Sequence, residues 1–131
     1  MRSYHDSRAQ GAEDEMKFGE KLRQLRKEQN ITLQQVADVI GVSESYLSQV
    51  ERGEKAPLTP KRLVQVLWYL ECSHYLKPML RMSIVERGTV EFDYVEGSQM
   101  MDILIRLSIM QATGDYDEAK MQQILTILEE A

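Results

Sequence analysis

Residues 32–54 read TLQQVADVIGVSESYLSQVERGE, and this stretch decides the fold. Two short helices that cross steeply through a tight turn need a small residue at closest approach, a turn residue free to go left-handed, an apolar plug and a shared core. Ala37, Gly41 and Val42 supply the first three in that order, and Val36, Ile40, Leu47 and Val50 supply the core. Thr32 and Ser43 stand where a hydroxyl can cap the free N–H groups of each helix, and Gly53 stands where the second must stop. The spacing predicts a helix-turn-helix whose second element runs over 43–52.

Upstream, FGEKLRQLRKEQN (18–30) places Phe18, Leu22 and Leu25 at helical spacing among Lys21, Arg23, Arg26 and Lys27, an amphipathic first helix with Asn30 as its stop. Downstream, Thr59–Pro60 is a cap followed by a first-turn proline. It opens a fourth helix with Leu63, Val64, Leu67 and Leu70 as one stripe. A short fifth helix is expected around Tyr75 to Leu80. The chain therefore divides into a polar tail over 1–15, a helix-turn-helix domain over 16–82 with the motif itself in 16–72, and a C-terminal region over 83–131.

Within that last region Val90, Phe92 and Tyr94 alternate with Glu91 and Asp93, the period of a short extended segment that could pair across a dimer axis. Two helices follow. Ser98 can cap the first, which is apolar around most of its circumference, and Asp115 with Glu118 resembles a capping box for the second. A helix apolar on most sides is hard to cover in a small monomer. The predicted dimer interface is Met101, Leu104, Ile105 and Leu107 with Ile124 and Leu128. The competing expectation is that both helices pack on the first domain as extra core.

The quoted segment resembles the helix-turn-helix of Cro/cI-type repressors, the xenobiotic-response-element family. An ordinary helix pair explains the apolar spacing but not the alanine, glycine, serine and Glu-Arg-Gly signals together. The resemblance implies an all-α, five-helix lambda-repressor-like DNA-binding domain followed by a small, mainly helical dimerisation region. It also implies that the third helix enters the major groove of double-stranded DNA, with Glu44, Ser45, Ser48 and Gln49 toward base edges. Gln49 can make a two-pronged contact to adenine, the serines can donate or accept, and Glu44 can accept from cytosine or stabilise the helix start. Phosphate contacts fall to Gln34, Tyr46, Arg52 and Lys55, with Lys61 and Arg62 as weaker candidates. A homodimer on a palindromic operator follows from how few base pairs one helix reads. A protein antagonist or a protease acting on the C-terminal region is a further partner class among relatives.

The net charge of −5 over 131 residues looks wrong for this role until it is divided along the chain. Residues 1–15 carry −2, residues 16–62 carry +3 from nine basic and six acidic groups, and residues 63–131 carry −6. A basic segment can hold phosphates locally because screening cuts off charges beyond about 10 Å. The single cysteine, Cys72, lies in an apolar stretch and is expected to pack inertly, with no metal-ligand partners at useful spacing. No cofactor or metal is expected. No segment is long and apolar enough for a membrane span or a signal peptide, so the expected location is the cytoplasm of a bacterium, for a bacterial or phage-encoded protein. An enzyme is disfavoured because His5 and His74 lack nucleophile or carboxylate partners. The main alternative is a protein-interaction module, such as an antitoxin or antagonist acting through its C-terminal helices.

Overall fold

Backbone N–H groups at a helix start have no partner inside the helix. The computed structural model, which describes residues 16–130, shows how this chain supplies them. The helices are α1 (Phe18–Glu28), α2 (Leu33–Ile40), α3 (Glu44–Glu51), α4 (Pro60–Tyr69), a 3-10 turn (Ser73–Tyr75), α5 (Leu76–Arg87), α6 (Gln99–Thr113) and α7 (Glu118–Glu130). The tail over 1–15 and the side chain of Leu128 lie outside the described residues. Among the described residues there is no strand, so the protein is all-α.

Thr32 Oγ1 accepts from the Gln35 N–H at 3.1 Å while Gln35 Oε1 accepts from the Thr32 N–H at 2.8 Å, a reciprocal cap for α2. Ser43, Thr59 and Ser98 each accept from the N–H three residues on, capping α3, α4 and α6 as expected. α1 has no side-chain cap of its own. Instead Glu86, near the end of α5, accepts from the Phe18 N–H at 2.8 Å and places a carboxylate at the positive end of α1. α7 is capped by Asp117, whose Oδ1 accepts from the Ala119 N–H at 2.8 Å. Asp115, the expected cap, lies too far upstream and faces Lys120 at 3.8 Å.

Gly41, at φ 68°, ends α2 in the left-handed region, and the Val42 N–H closes back on the Ala37 carbonyl at 3.0 Å. That closure turns the chain sharply enough for α3 to cross α2. Phe18, Leu22 and Leu25 of α1, Val36, Ala37 and Ile40 of α2, and Leu47 and Val50 of α3 are buried together with Leu58 and the inner face of α4. That inner face is Leu63, Val66, Leu67 and Leu70, whereas Val64 is 48% exposed. The correction to the predicted stripe is one of helical phase: Val66 completes the i, i+3, i+4, i+7 series.

The fifth helix is longer than the sequence predicts. A 3-10 turn occupies Ser73–Tyr75, and α5 then runs to Arg87, ending at Gly88 with φ 73°. Three contacts hold its far half to the domain: Ser83 is buried, Glu86 caps α1, and the Arg87 guanidinium donates to the Pro57 carbonyl. The first compact unit accordingly extends to Val90, beyond the expected boundary at 82, and the second begins at Glu91. Val90 to Tyr94 is irregular and exposed, because apolar alternation without a partner strand leaves its backbone groups to water.

Cys72 sits just past the end of α4 and is buried in the core of the first unit. Burial pushes its thiol pKa up, nearby Glu28 adds to that, and Lys21 opposes it. Native Cys72 should therefore react with a thiol reagent at least about tenfold more slowly than in the denatured chain. Equal rates would show that the thiol is open to solvent.

Candidate nucleic-acid interface

Glu44, Ser45, Ser48, Gln49 and Arg52 recur at steps of three and four residues along and just past α3, so they share one face. Glu44, Ser45 and Arg52 are exposed, and Ser48 and Gln49 are partly exposed. The opposite face is fixed. Leu47 and Val50 are buried in the core and Tyr46 packs against its edge. The four residues predicted to face bases thus form one outward polar strip on a helix whose inner side is immobilised.

Of the residues predicted to hold phosphates, two already have acidic partners. Arg52 Nη2 meets Glu54 Oε2 at 2.8 Å, with both side chains more than half exposed. Gln34, exposed in the first turn of α2, donates through Nε2 to Asp38 Oδ1 at 2.7 Å. Lys55 and Lys61 are exposed and Arg62 is partly exposed. Tyr46 offers less reach than the others because its ring is committed to packing.

Two determinants of α3's position escape sequence reading. Glu51 falls on the inner side of α3, where its carboxylate takes a two-pronged contact from Arg26 of α1: Nε to Oε2 at 2.8 Å and Nη2 to Oε1 at 2.9 Å. The pair is nearly dry, with side-chain exposures of 11% for Arg26 and 5% for Glu51. Arg26 Nη1 also donates to the Ile31 carbonyl at 2.9 Å, so one guanidinium ties together α1, the α1–α2 turn and α3. The Glu51 hydrogen bonds raise the Arg26 pKa further above its already high value. Glu51 could have been found from its place four residues after the buried Leu47, on the same face, where a lone acid needs a cation.

The second determinant is Gly19 in α1. A Cβ there would lie 2.3 Å from the Val50 carbonyl oxygen and 2.5 Å from that of Glu51. The last turn of α3 therefore rests directly on the α1 backbone.

In the C-terminal unit, Ile103 and Met110 of α6 are seven residues apart and buried, and Ile124 of α7 is buried within the chain itself. Of the remaining predicted interface residues, Met101, Leu104 and Leu107 are partly buried and Ile105 is exposed. Ile109 and Leu125, which are not among the predicted interface residues, are also exposed. Among the described residues no group of His, Cys, Asp or Glu could hold a metal ion, and no helix is long and apolar enough to cross a membrane.

A core-packed α2, a left-handed glycine turn and an α3 with a free polar face define a helix-turn-helix domain. Residues 22–76 match the helix-turn-helix family, and this part of the chain is a Cro/cI-type domain of that family. The chain is 42% identical over 53 residues to the HTH-type transcriptional repressor RghR of Bacillus subtilis (strain 168), covering 38% of this chain and 39% of that protein. It is 38% identical over 53 residues to the uncharacterized HTH-type transcriptional regulator RghRB of the same organism, covering 38% of each. The match spans about two fifths of each relative's length. A solved SinR protein/SinI protein complex is similar at 22% identity and a TM-score of 0.43, covering 86% of this chain and 94% of that one.

Proposed function

We propose that this chain is a sequence-specific DNA-binding transcriptional regulator, acting as a repressor, that reads the major groove with the outward strip of α3. One observation carries the reading: Glu44, Ser45, Ser48 and Gln49 share an accessible polar face while Leu47, Val50 and Glu51 of the same helix are buried. A side chain can be altered on the outer face without disturbing the inner one. Repression is the activity in the name of RghR, to which this chain is 42% identical over 53 residues.

The roles separate by substitution. Gln49→Ala should cost roughly 1 to 3 kcal/mol on the preferred site and relax base preference there, because a base contact is lost. Arg52→Ala should weaken binding to every sequence and flatten the dependence on salt, because a phosphate contact is lost. Electrophoretic or fluorescence titrations on matched and mismatched duplexes distinguish these. Identical losses from both substitutions on all duplexes would remove the assignment.

A single α3 contacts too few base pairs for specificity at genomic scale, so we assign the C-terminal unit to pairing two copies on a palindromic operator. Ile105 and Ile109 lie four residues apart and leave an exposed apolar stripe on α6. Leu104, partly buried beside that stripe, is a sensitive probe. Leu104→Asp should give monomers in sedimentation and lose operator affinity. Dimers that persist would argue for a different interface. The same exposed residues favour one second reading, in which this unit binds another protein and sets when the DNA-binding domain is available.

A further inference from the structure

The pairing of Arg52 with Glu54 bears on how tightly the proposed interface can hold DNA. Arg52 caps the C-terminus of α3 and carries a guanidinium beside the polar strip. Gly53, at φ 77°, bends the chain immediately after it. The Glu54 N–H is then held by the Gln49 carbonyl at 2.9 Å. The ion pair at 2.8 Å is therefore made on a fixed backbone, although both side chains are more than half exposed.

The basic residues of the first unit are also less available than their number suggests. Arg26 is committed to Glu51, and Lys21 is buried with its ammonium 4.3 Å from the centre of the Tyr75 ring. Lys55, Lys61 and Arg62 remain as other phosphate candidates, but Arg52 is the cation on the outward face of α3 itself, so what happens to it bears directly on phosphate binding. A carboxylate two residues away opposes that binding twice. The pair must open before the guanidinium can face a phosphate, and the released carboxylate then lies close to the duplex. The Gln34–Asp38 contact on α2 repeats the arrangement with an uncharged donor.

We infer that Glu54 is an affinity-limiting residue of this domain, an internal competitor with DNA phosphate for Arg52. The inference rests on the reading of α3 as the duplex-facing helix. It assigns to Glu54 the suppression of binding to DNA of arbitrary sequence, which leaves occupancy dependent on base contacts and on a second copy.

The test is titration of a fluorescent random-sequence duplex with the full chain over a series of salt concentrations. Wild type, Glu54→Gln, Arg52→Ala and the double variant Arg52→Ala/Glu54→Gln are compared. Glu54→Gln should tighten binding about two- to fivefold at low salt, the range an exposed ion pair spans. It should also steepen the log–log salt slope by up to about 0.9, one further phosphate's worth of released counterions. In the Arg52→Ala background the gain should disappear. Equal affinity of wild type and Glu54→Gln overturns the inference while leaving the DNA-binding reading intact. The same gain with and without Arg52 overturns it too, since that marks a general charge effect. If wild type binds no duplex at all, the DNA-binding reading falls and this inference with it.

Discussion

Glu51→Ala should cost about 3 to 5 kcal/mol of folding stability, because it leaves the Arg26 guanidinium buried without its anion. A domain of this size has only about 5 to 15 kcal/mol in total, so the variant should be marginal at physiological temperature. The cost comes from stranding a charge and not from losing a strong attraction. Replacing both members with apolar residues of similar length, Arg26→Met with Glu51→Leu, should therefore recover most of the loss. The Ile31 carbonyl also loses a donor in that double variant, which keeps recovery from being complete. Urea unfolding of the two singles and the double measures this. A loss below about 1 kcal/mol for Glu51→Ala would mean that the pair is solvated and does not position α3.

Gly19→Ala sets two effects of opposite sign against each other. By helix propensity alone alanine should stabilise α1 by about 1 kcal/mol. Against that, the added methyl would lie 2.3 Å from one backbone oxygen of α3 and 2.5 Å from another. Neither oxygen belongs to a flexible side chain that could move aside, so α1 and α3 must separate, at a typical overpacking cost of 1 to 3 kcal/mol or more. The steric effect should win. Net destabilisation of about 2 kcal/mol is expected, together with weaker DNA binding, because the displaced element carries Gln49. A thermal midpoint above wild type would show that α1 and α3 are not in close contact at Gly19.

These two residues mark where sequence reading stops. Caps are local chemistry, and Thr32, Ser43, Thr59 and Ser98 announce their helices because the partner of each hydroxyl lies three residues on. The outward strip of α3 is legible for the same reason, since it follows from the apolar spacing of Leu47 and Val50. Arg26 and Glu51 are 25 residues apart, and nothing local marks either as the other's partner. Gly19 reads as a helix-weakening residue until the neighbour pressed against it is known.

Helical phase and length were ambiguous where two patterns competed. From Leu63 the steps of three, four and seven lead to Val66, Leu67 and Leu70, all buried, whereas Val64 is adjacent to Leu63 and turns outward. α5 mixes charged and apolar residues past Leu80, so its periodicity fades although Gly88 marks its true end. The alternation from Val90 to Tyr94 shows a pattern without the partner a strand requires.

Selection of bound duplexes from a random-sequence pool by the purified full chain tests the central claim most directly. The account predicts enrichment of an inverted repeat, its half-sites spaced by about 10 base pairs or a multiple, and loss of preference at one position in each half when Gln49→Ala replaces wild type. A pool that emerges without a common sequence, or one whose preference is untouched by substitutions at Glu44, Ser45, Ser48 and Gln49, would contradict it.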